Sequence, residues 1–283
     1  DGLIFESPFD LNGRWKRMVE SANSISVKWF GARHSPAADP KVYSDDAFEA
    51  ALAATVVATG AANSHGGEVR VPAGVYYFKK PIVMPLNIAG AVGLQWFTRI
   101  VGDGMETTKL RFDFTTTKGN AIALYDTTLA QPFINCEISE MSIESDGVSY
   151  SYPADEELAA VYSLGGSGIR IKNLRILDFP TAIRIDSCNY IEIRGCQAFG
   201  AKYGIFFQQS IGAGVTNVIE VARCLLAGGI AAVKDDGGVV HRYTGNSFTS
   251  QPKCFIVDAT SNFLAEHNYF ESNFGLGHFE IQN

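Results

Sequence analysis

The feature that most constrains this chain is an internal repeat in its second half. From about residue 136 onward, short β-like segments recur with Gly and Asn between them. One series of repeated positions is Ile138, Ile171, Ile193, Val221, Tyr243 and Ala265. A companion series, with steps of 33, 22, 28, 22 and 22 residues, is Met141, Leu174, Cys196, Cys224, Asn246 and Asn268. A second strand per repeat is marked by Ile183, Ile205, Ile230, Phe255 and Phe279. The first-strand positions and the second-strand positions therefore repeat independently with a similar period, which predicts a repeat architecture.

A repeat of this length can hold two or three short strands, but alone it cannot bury their apolar side chains. Stacking each repeat on the next pairs equivalent strands about 4.8 Å apart and places like residues over like residues. The sequence therefore predicts an all-β fold, a right-handed parallel β-helix or solenoid. The stack would bring Cys196 over Cys224, where free buried thiols or a disulfide are both compatible with the spacing. The other cysteines are expected to be buried free thiols.

The first half of the chain differs, because it contains one clear helix. Residues 45–58 are rich in Ala and Leu and follow Ser44, so a capped helix is predicted there, covering one end of the solenoid. Residues 23–32 are predicted to form a strand that ends in a Gly turn. A strand at 68–71 and two strands around the Gly-Asp-Gly turn at 102–104 complete the prediction.

Four stretches of this half together resemble a known family. They are VKWFGA (27–32), SDDAFEAALAA (44–54), GGEVRVPAGVYYF (66–78) and IVGDGMETTKLRF (100–112). They resemble the leading segment of the pectate-lyase-like superfamily of single-stranded right-handed β-helices, although the Gly-Asp-Gly usual before the helix is absent. The resemblance implies a β-helix domain over 25–283, with a leading segment at 25–112 and rungs at 113–283. It also implies a linker at 1–24 and a domain truncated at its C-terminus.

Within that superfamily the layout is similar to bacteriophage tailspikes and depolymerases. This resemblance implies a homotrimer that binds a bacterial surface polysaccharide, either capsule or O-antigen. It also implies an extracellular location on the virion tail, reached through a virion-attachment domain or protein. The superfamily includes hydrolases, lyases, epimerases and non-catalytic stalks, so the fold does not fix the chemistry.

Composition and charge further restrict the classes of partner that are expected for this chain. The chain is 46% hydrophobic and 19% charged, with a net charge of −7, and it has no basic tract of the kind that binds nucleic acid. No apolar run is long enough to predict a membrane span. No sequence motif requires a metal or another cofactor, so none is expected.

Glycan hydrolysis needs two carboxylates about 5–10 Å apart, a separation that one or two rung steps provide. Asp235 and Asp236 follow a predicted strand in VKDDGG and are candidate catalytic residues. Their alternative role is turn formation before Gly-Gly. Glu266 and Glu271, which flank the next repeat strand, are the second candidate pair. Weaker candidates at equivalent strand exits are Asp186 and Asp258.

Two further groups of polar residues have alternative interpretations. The outward positions Arg170, Glu192, Glu220 and Arg242 alternate in charge and favour a solvated ion-pair ladder over a site. The 33-residue step implies an insertion within 145–166 that leaves the stack as a loop. Its candidate substrate-binding residues are Tyr150, Tyr152, Asp155, Glu157 and Tyr162. The insertion could form one wall of a carbohydrate groove, or a lid or intersubunit contact.

Three functions therefore remain open from the sequence. The first is a polysaccharide depolymerase, with hydrolysis favoured over elimination. The second is a module that binds the glycan without cleaving it, and the third is a structural stalk of a virion fibre.

Overall fold

The computed structural model describes residues 4–6, 14–16, 24–36, 40–58, 67–84, 98–114, 119–124, 135–147, 158–209, 216–250, 253–272 and 279–282. These residues form an all-β architecture of parallel strands and one antiparallel pair, at 4–6 and 14–16, with α1 (Asp45–Ala58) as the α-helix of the described part. The strands of the first half are β1 (Ile4–Glu6), β2 (Arg14–Lys16), β3 (Ser24–Ser26), β4 (Glu68–Val71), β5 (Gly74–Phe78), β6 (Ile82–Val83), β7 (Arg99–Gly102), β8 (Thr108–Phe112) and β9 (Ile122–Leu124). Those of the second half are β10 (Glu137–Ser145), β11 (Ala159–Leu164), β12 (Arg170–Asp186), β13 (Asn189–Arg194), β14 (Gln197–Gln208), β15 (Asn217–Ala222), β16 (Leu225–Gly228), β17 (Ala231–Thr244), β18 (Ser247–Ser250), β19 (Lys253–Glu266), β20 (Tyr269–Ser272) and β21 (Phe279–Gln282).

The parallel strands stack in three ladders, here named A, B and C. Ladder A contains β3, β4, β7, β13, β15, the first parts of β10 and β12, and the last parts of β17 and β19. Ladder B contains β5, β8, β16, β18, β20, the end of β10, the middle of β12 and the start of β14. Ladder C contains β6, β9, β11, β21, the last parts of β12 and β14, and the first parts of β17 and β19. One strand from each ladder, in the order A, B, C, makes one rung.

The pairing register confirms the first repeat series. Ile138 pairs with Ile171, which pairs with Ile193, and the series continues through Val221 and Tyr243. These side chains are buried, as are the interior positions of the other two ladders, so that one continuous apolar core runs along the stack. Helix α1 covers this core with Phe48, whose ring lies 4.7 Å from the ring of Phe78.

Three sequence predictions require correction. The strand predicted for 23–32 ends at Ser26, because 27–30 form a 3₁₀ helix that closes at Gly31 with φ 97°. In the second-strand series, Val233 and not Ile230 is in register with Ile205 and Phe255. The described part of the insertion is not all loop, because 159–164 form β11 within ladder C.

The five cysteines are free and buried, as predicted. Cys196 and Cys224 lie on successive rungs, where the backbone N–H of Cys196 is 3.4 Å from the sulfur of Cys224. One rung further along, the side-chain oxygen of Asn246 accepts a hydrogen bond from the backbone N–H of Cys224, and Asn268 does the same for Asn246. The thiol and amide stacks therefore satisfy backbone donors at one corner of three successive rungs.

A column of left-handed residues forms the corner between ladders C and A. Tyr190, Val218, Val240 and Asn262 occupy equivalent positions there, with φ between 53° and 62°. A β-branched side chain is strained in this region, which costs about 1–2 kcal/mol. Val218 and Val240 are both exposed, so burial of their side chains does not offset this strain.

We therefore expect Val240→Asn to raise the free energy of unfolding by about 1 kcal/mol, because Asn tolerates left-handed backbone and already occupies the next rung at Asn262. Denaturant or thermal unfolding measures the change. Val83→Asn is the matched control, since Val83 is equally exposed on a strand of ordinary backbone conformation. An equal or smaller stability for Val240→Asn than for Val83→Asn would contradict the strain assignment.

Candidate functional site

The outer face of ladder C carries a group of aromatic, cationic and acidic side chains. Because strand residues alternate between the two faces of a sheet, every second residue of β11, β12, β14, β17 and β19 points outward here. One outward row, in register from rung to rung, is Tyr162, Arg184, Phe206, Lys234 and Ile256. A second outward row is Asp186, Gln208, Asp236 and Asp258.

Cations and rings alternate in the first row. The guanidinium of Arg184 lies 5.1 Å from the ring centroid of Tyr162 and 5.7 Å from that of Phe206. The ammonium of Lys234 lies 4.7 Å from the Phe206 ring and 5.8 Å from that of Tyr203. Such cation–π contacts are attractive and hold the long basic side chains close to the sheet. The result is a platform of alternating rings and cations, in which Tyr162 and Lys234 are partly exposed whereas Arg184 and Phe206 are buried.

Tyr203 and Phe206 also pack on each other and on Ala231 and Ile256, forming a small apolar cluster outside the main core. This second cluster holds the aromatic rings of the face in place by apolar packing. Packing of this kind holds neighbouring side chains in fixed positions, which favours ligand binding.

The carboxylates of the second row lie beside this platform. Asp236 forms an ion pair with Lys234, with 2.5 Å between Oδ2 and Nζ. Asp236 and Asp258 are register partners on adjacent rungs, so their Cα atoms are about 4.8 Å apart. On the neighbouring rung, Arg184 donates a hydrogen bond of 2.6 Å to Oε1 of Gln208. The two rows are therefore joined by polar contacts.

Asp236 has a perturbed acidity. Burial raises its pKa, the ammonium of Lys234 opposes this effect, and the negative charges of Asp258 and Asp235 raise the pKa further. The net direction is upward. A raised carboxyl pKa beside a second carboxylate is the arrangement that general acid catalysis uses.

The structure separates the two predicted aspartates. Both lie within β17 rather than in a turn, and adjacent residues of a strand face opposite sides. Asp236 points outward, whereas Asp235 is fully buried inside the stack, where it accepts hydrogen bonds within the core. The alternative role that the sequence suggested for this pair, turn formation, is therefore wrong.

The other predicted catalytic residues lie elsewhere. Glu266 ends the ladder A part of β19, and Glu271 lies in β20 of ladder B; both are exposed. They occupy different ladders from Asp236. Of the predicted substrate-binding residues, Tyr150, Tyr152, Asp155 and Glu157 lie outside the described residues. Tyr162 lies in β11, partly exposed, on the outer face of ladder C.

Sequence reasoning missed Arg184, Phe206 and Lys234. The signal was present, because each directly follows an interior residue of the second-strand series: Ile183, Ile205 and Val233. Choosing Ile230 in place of Val233 shifted that rung by three residues and hid Lys234 from the row.

The charged face of ladder A fits the predicted ion-pair ladder. Glu192 lies 3.1 Å from Lys172 and 3.8 Å from Arg170, and Arg194 lies 3.1 Å from Glu220. Exposed pairs of this kind contribute about 0–1 kcal/mol each. Their mutual pairing gives no sign of a ligand site.

Within the described ranges, no group of three or more His, Cys, Asp or Glu side chains is placed to hold a metal ion. In the same part of the chain, no helix is long and apolar enough to cross a membrane.

Solved structures share this architecture. A surface adhesin of Streptococcus pneumoniae, PfbA, superposes with a TM-score of 0.68 at 15% identity, over 91% of this chain and 65% of that protein. The N-terminal fragment of bacteriophage phi29 gene product 12 gives a TM-score of 0.62 at 17% identity, over 87% of this chain and 42% of that fragment. DFA-IIIase from Arthrobacter chlorophenolicus A6, in complex with DFA-III, gives 0.61 at 13% identity, over 85% and 60%.

These similarities confirm the predicted resemblance at the level of the fold, which this chain shares with a bacteriophage protein among others. At such low identities they show the fold alone. The chain spans less than two thirds of the length of these three proteins. No family model matches the sequence, and no curated protein matches it either.

Proposed function

We propose that this protein is a tailspike-type depolymerase that binds a bacterial capsule or O-antigen and cleaves it by hydrolysis on the outer face of ladder C. The proposal rests on one observation, the row of carboxylates Asp236 and Asp258 beside the aromatic and cationic platform. It includes a right-handed coil for the 25–283 domain, the hand strongly favoured for parallel crossovers. It also includes the homotrimer and the attachment to a virion tail that the sequence resemblance implies.

The chemistry assigns one role to each carboxylate. Asp236, whose pKa is raised, donates a proton to the glycosidic oxygen as the bond to the anomeric carbon breaks. Asp258, one rung away, attacks the anomeric carbon, and water then hydrolyses the covalent intermediate while Asp236 accepts the proton of that water. A carboxyl separation of about 5 Å, close to one rung step, favours retention of the anomeric configuration.

The platform supplies binding. Tyr162 is partly exposed and offers an aromatic surface for the apolar face of a sugar ring. Lys234 lies next to Asp236 and can hold a hydroxyl group or a developing negative charge. Bacteriophage and adhesin structures among the similar folds support, but do not specify, a surface glycan as the ligand.

The direct test incubates the protein with a panel of bacterial capsular and O-antigen polysaccharides. New reducing ends without absorbance from unsaturated uronates are the expected result, and they indicate hydrolysis. Both signals together indicate elimination and contradict the carboxylate mechanism. NMR of the first product then shows whether the anomeric configuration is retained.

A pH profile tests the role of Asp236 separately. A general acid works only while protonated, so cleavage should persist above the usual range of an aspartate and fall as pH rises through the raised pKa of Asp236. Lys234→Met removes the positive charge that lowers this pKa, so the falling limb should move to higher pH. Lys172→Met on ladder A is the control and should leave the limb in place. Movement of the limb to lower pH in Lys234→Met would contradict the assignment.

A second candidate is glycan binding without cleavage. The similarity to a surface adhesin favours it, since that protein shares this fold over 91% of the chain. Retention of a polysaccharide from the panel, with neither reducing ends nor unsaturated products, would select this function over hydrolysis.

A further inference from the structure

A polar triad lies inside the stack, directly behind the outer face of ladder C. Asp235, His241 and Tyr243 are all fully buried. Oδ2 of Asp235 lies 2.7 Å from Nδ1 of His241 and accepts a hydrogen bond of 2.9 Å from the hydroxyl of Tyr243. All three residues belong to β17, so that the contacts cross the interior from its ladder C part to its ladder A part.

The surroundings of the triad are apolar. Asp235 is in register with Phe207 and Val257, the interior residues of the rungs on either side. The His241 ring lies 5.6 Å from that of Phe207, and the Tyr243 ring lies 5.0 Å from that of Phe255. A buried carboxylate is costly unless hydrogen bonds compensate it, and here two donors converge on one oxygen. Burial and the charge of Asp235 raise the pKa of Tyr243 well above its usual range, so the hydroxyl keeps the proton that it donates.

The triad also restrains a bend in the backbone of β17. Between the ladder C and ladder A parts of β17, Gly237 and Gly238 have φ of 95° and 153°. A Cβ atom added to Gly238 would fall within van der Waals overlap of Nε2 of His241, so the imidazole lies directly against the bend. Asp236 is the residue immediately before these glycines. The contacts of Asp235 before the bend and of His241 after it therefore fix the backbone that carries Asp236.

We propose that Asp235, His241 and Tyr243 form an internal positioning network for Asp236, holding its backbone at the bend and placing a buried negative charge behind its carboxyl group. This inference deepens the proposed hydrolase site and rests on it for the catalytic role of Asp236. Asp235 does not itself contact substrate, because it lies on the inner side of the strand.

The charge of Asp235 acts together with other groups around Asp236. On the same strand Lys234 pairs with Asp236, on β19 Asp258 is its register partner, and on β14 the partner is the uncharged Gln208. Burial is the largest cause of the raised pKa of Asp236, and Asp258 and Asp235 add to it against the effect of Lys234. Removing the charge of Asp235 should therefore lower that pKa.

The test follows the carboxyl titration of Asp236 by NMR in protein without substrate. In Asp235→Asn, the titration midpoint of Asp236 should fall by about half a pH unit or more, as expected for loss of one nearby negative charge. Tyr243→Phe removes one of the hydrogen bonds that hold the Asp235 carboxyl group in place, so the midpoint should fall by less. This second variant retains the carboxyl group and most of the ring packing if Asp235→Asn does not fold.

Tyr76→Phe is the matched control, because the Tyr76 hydroxyl is also buried and donates to the carbonyl of Pro72, away from ladder C. It should leave the Asp236 midpoint unchanged. If Asp235→Asn and Tyr243→Phe lower the melting temperature but leave the midpoint where it is, the triad is a packing element alone and the proposal is wrong.

The titration and the cleavage assay separate the two proposals. A shifted midpoint in a protein that cleaves no polysaccharide supports the network and rejects the hydrolase. Cleavage with an unshifted midpoint supports the hydrolase and rejects the network. If both hold, the falling limb of the cleavage profile should move to lower pH in Asp235→Asn by the same amount as the NMR midpoint.

Discussion

Asp236→Asn is expected to lower the rate of polysaccharide cleavage by about 10²–10⁴-fold, the usual contribution of a positioned general acid. Asn keeps the shape of the side chain but cannot donate the proton that the leaving oxygen needs. Polysaccharide affinity should change little, because the partly exposed ring of Tyr162 remains in place against Arg184. Initial rates of reducing-end release and a separate binding assay measure the two effects.

The controls for this prediction compare carboxylates on different faces. Asp258→Asn should cause a loss of similar size, because hydrolysis needs both members of the pair. Glu220→Gln, on the ion-pair face of ladder A, should keep the rate of the unmodified protein. Glu266→Gln and Glu271→Gln test the other pair that the sequence suggested; a large loss in these variants with normal rates in Asp236→Asn would move the site to the ends of β19 and β20.

Phe255→Ala is expected to lower the free energy of unfolding by about 3–5 kcal/mol, the range typical of a buried aromatic ring replaced by a methyl group. The Phe255 ring lies 4.7 Å from that of Phe248, 5.0 Å from that of Tyr243 and 5.4 Å from that of Phe263. It joins the interior sides of all three ladders within one region of the stack. Its loss would leave a cavity that the regular pairing of the strands cannot close.

Urea unfolding monitored by circular dichroism measures the shift in midpoint. Phe255→Leu should cost less, about 1.5 kcal/mol, because most of the apolar volume is retained. Tyr190→Ala is a surface control and should lie within about 0.5 kcal/mol of the unmodified protein, since the Tyr190 side chain is exposed. Equal effects of Phe255→Ala and Tyr190→Ala would show that this part of the core is loosely packed.

The stacking of rungs could be predicted because identical interior positions repeat along the chain. Ile171, Ile193 and Val221 pair as their spacing indicates, and the helix at 45–58 has the bounds that Ala content and capping suggested. In both cases the pattern depends on local propensity and on burial of one face, which a single sequence records directly. The outward ion-pair row on ladder A follows from the same register.

The candidate site could be predicted only in part, because its geometry depends on the exact residue at which each strand begins. Asp235 and Asp236 are adjacent in VKDDGG, and turn residues follow them, so the pair looked like a turn. The structure continues β17 through both glycines, and alternation then sends the two carboxylates to opposite sides. A glycine pair can bend a strand as well as end it, and the sequence pattern is the same in the two cases.

The free thiols give this molecule a set of natural reporters of opening. Burial raises the pKa of the Cys136 thiol to about 12 and that of Cys188 to about 11, and Cys196, Cys224 and Cys254 are also buried. A thiol reacts with alkylating reagents as the exposed thiolate, so each cysteine reacts only when its own rung separates from its neighbours. Cys188 and Cys196 flank β13 on one rung, and the other three cysteines lie on other rungs. The labelling rate of each cysteine therefore reports which rungs separate and in what order, and no cysteine has to be introduced.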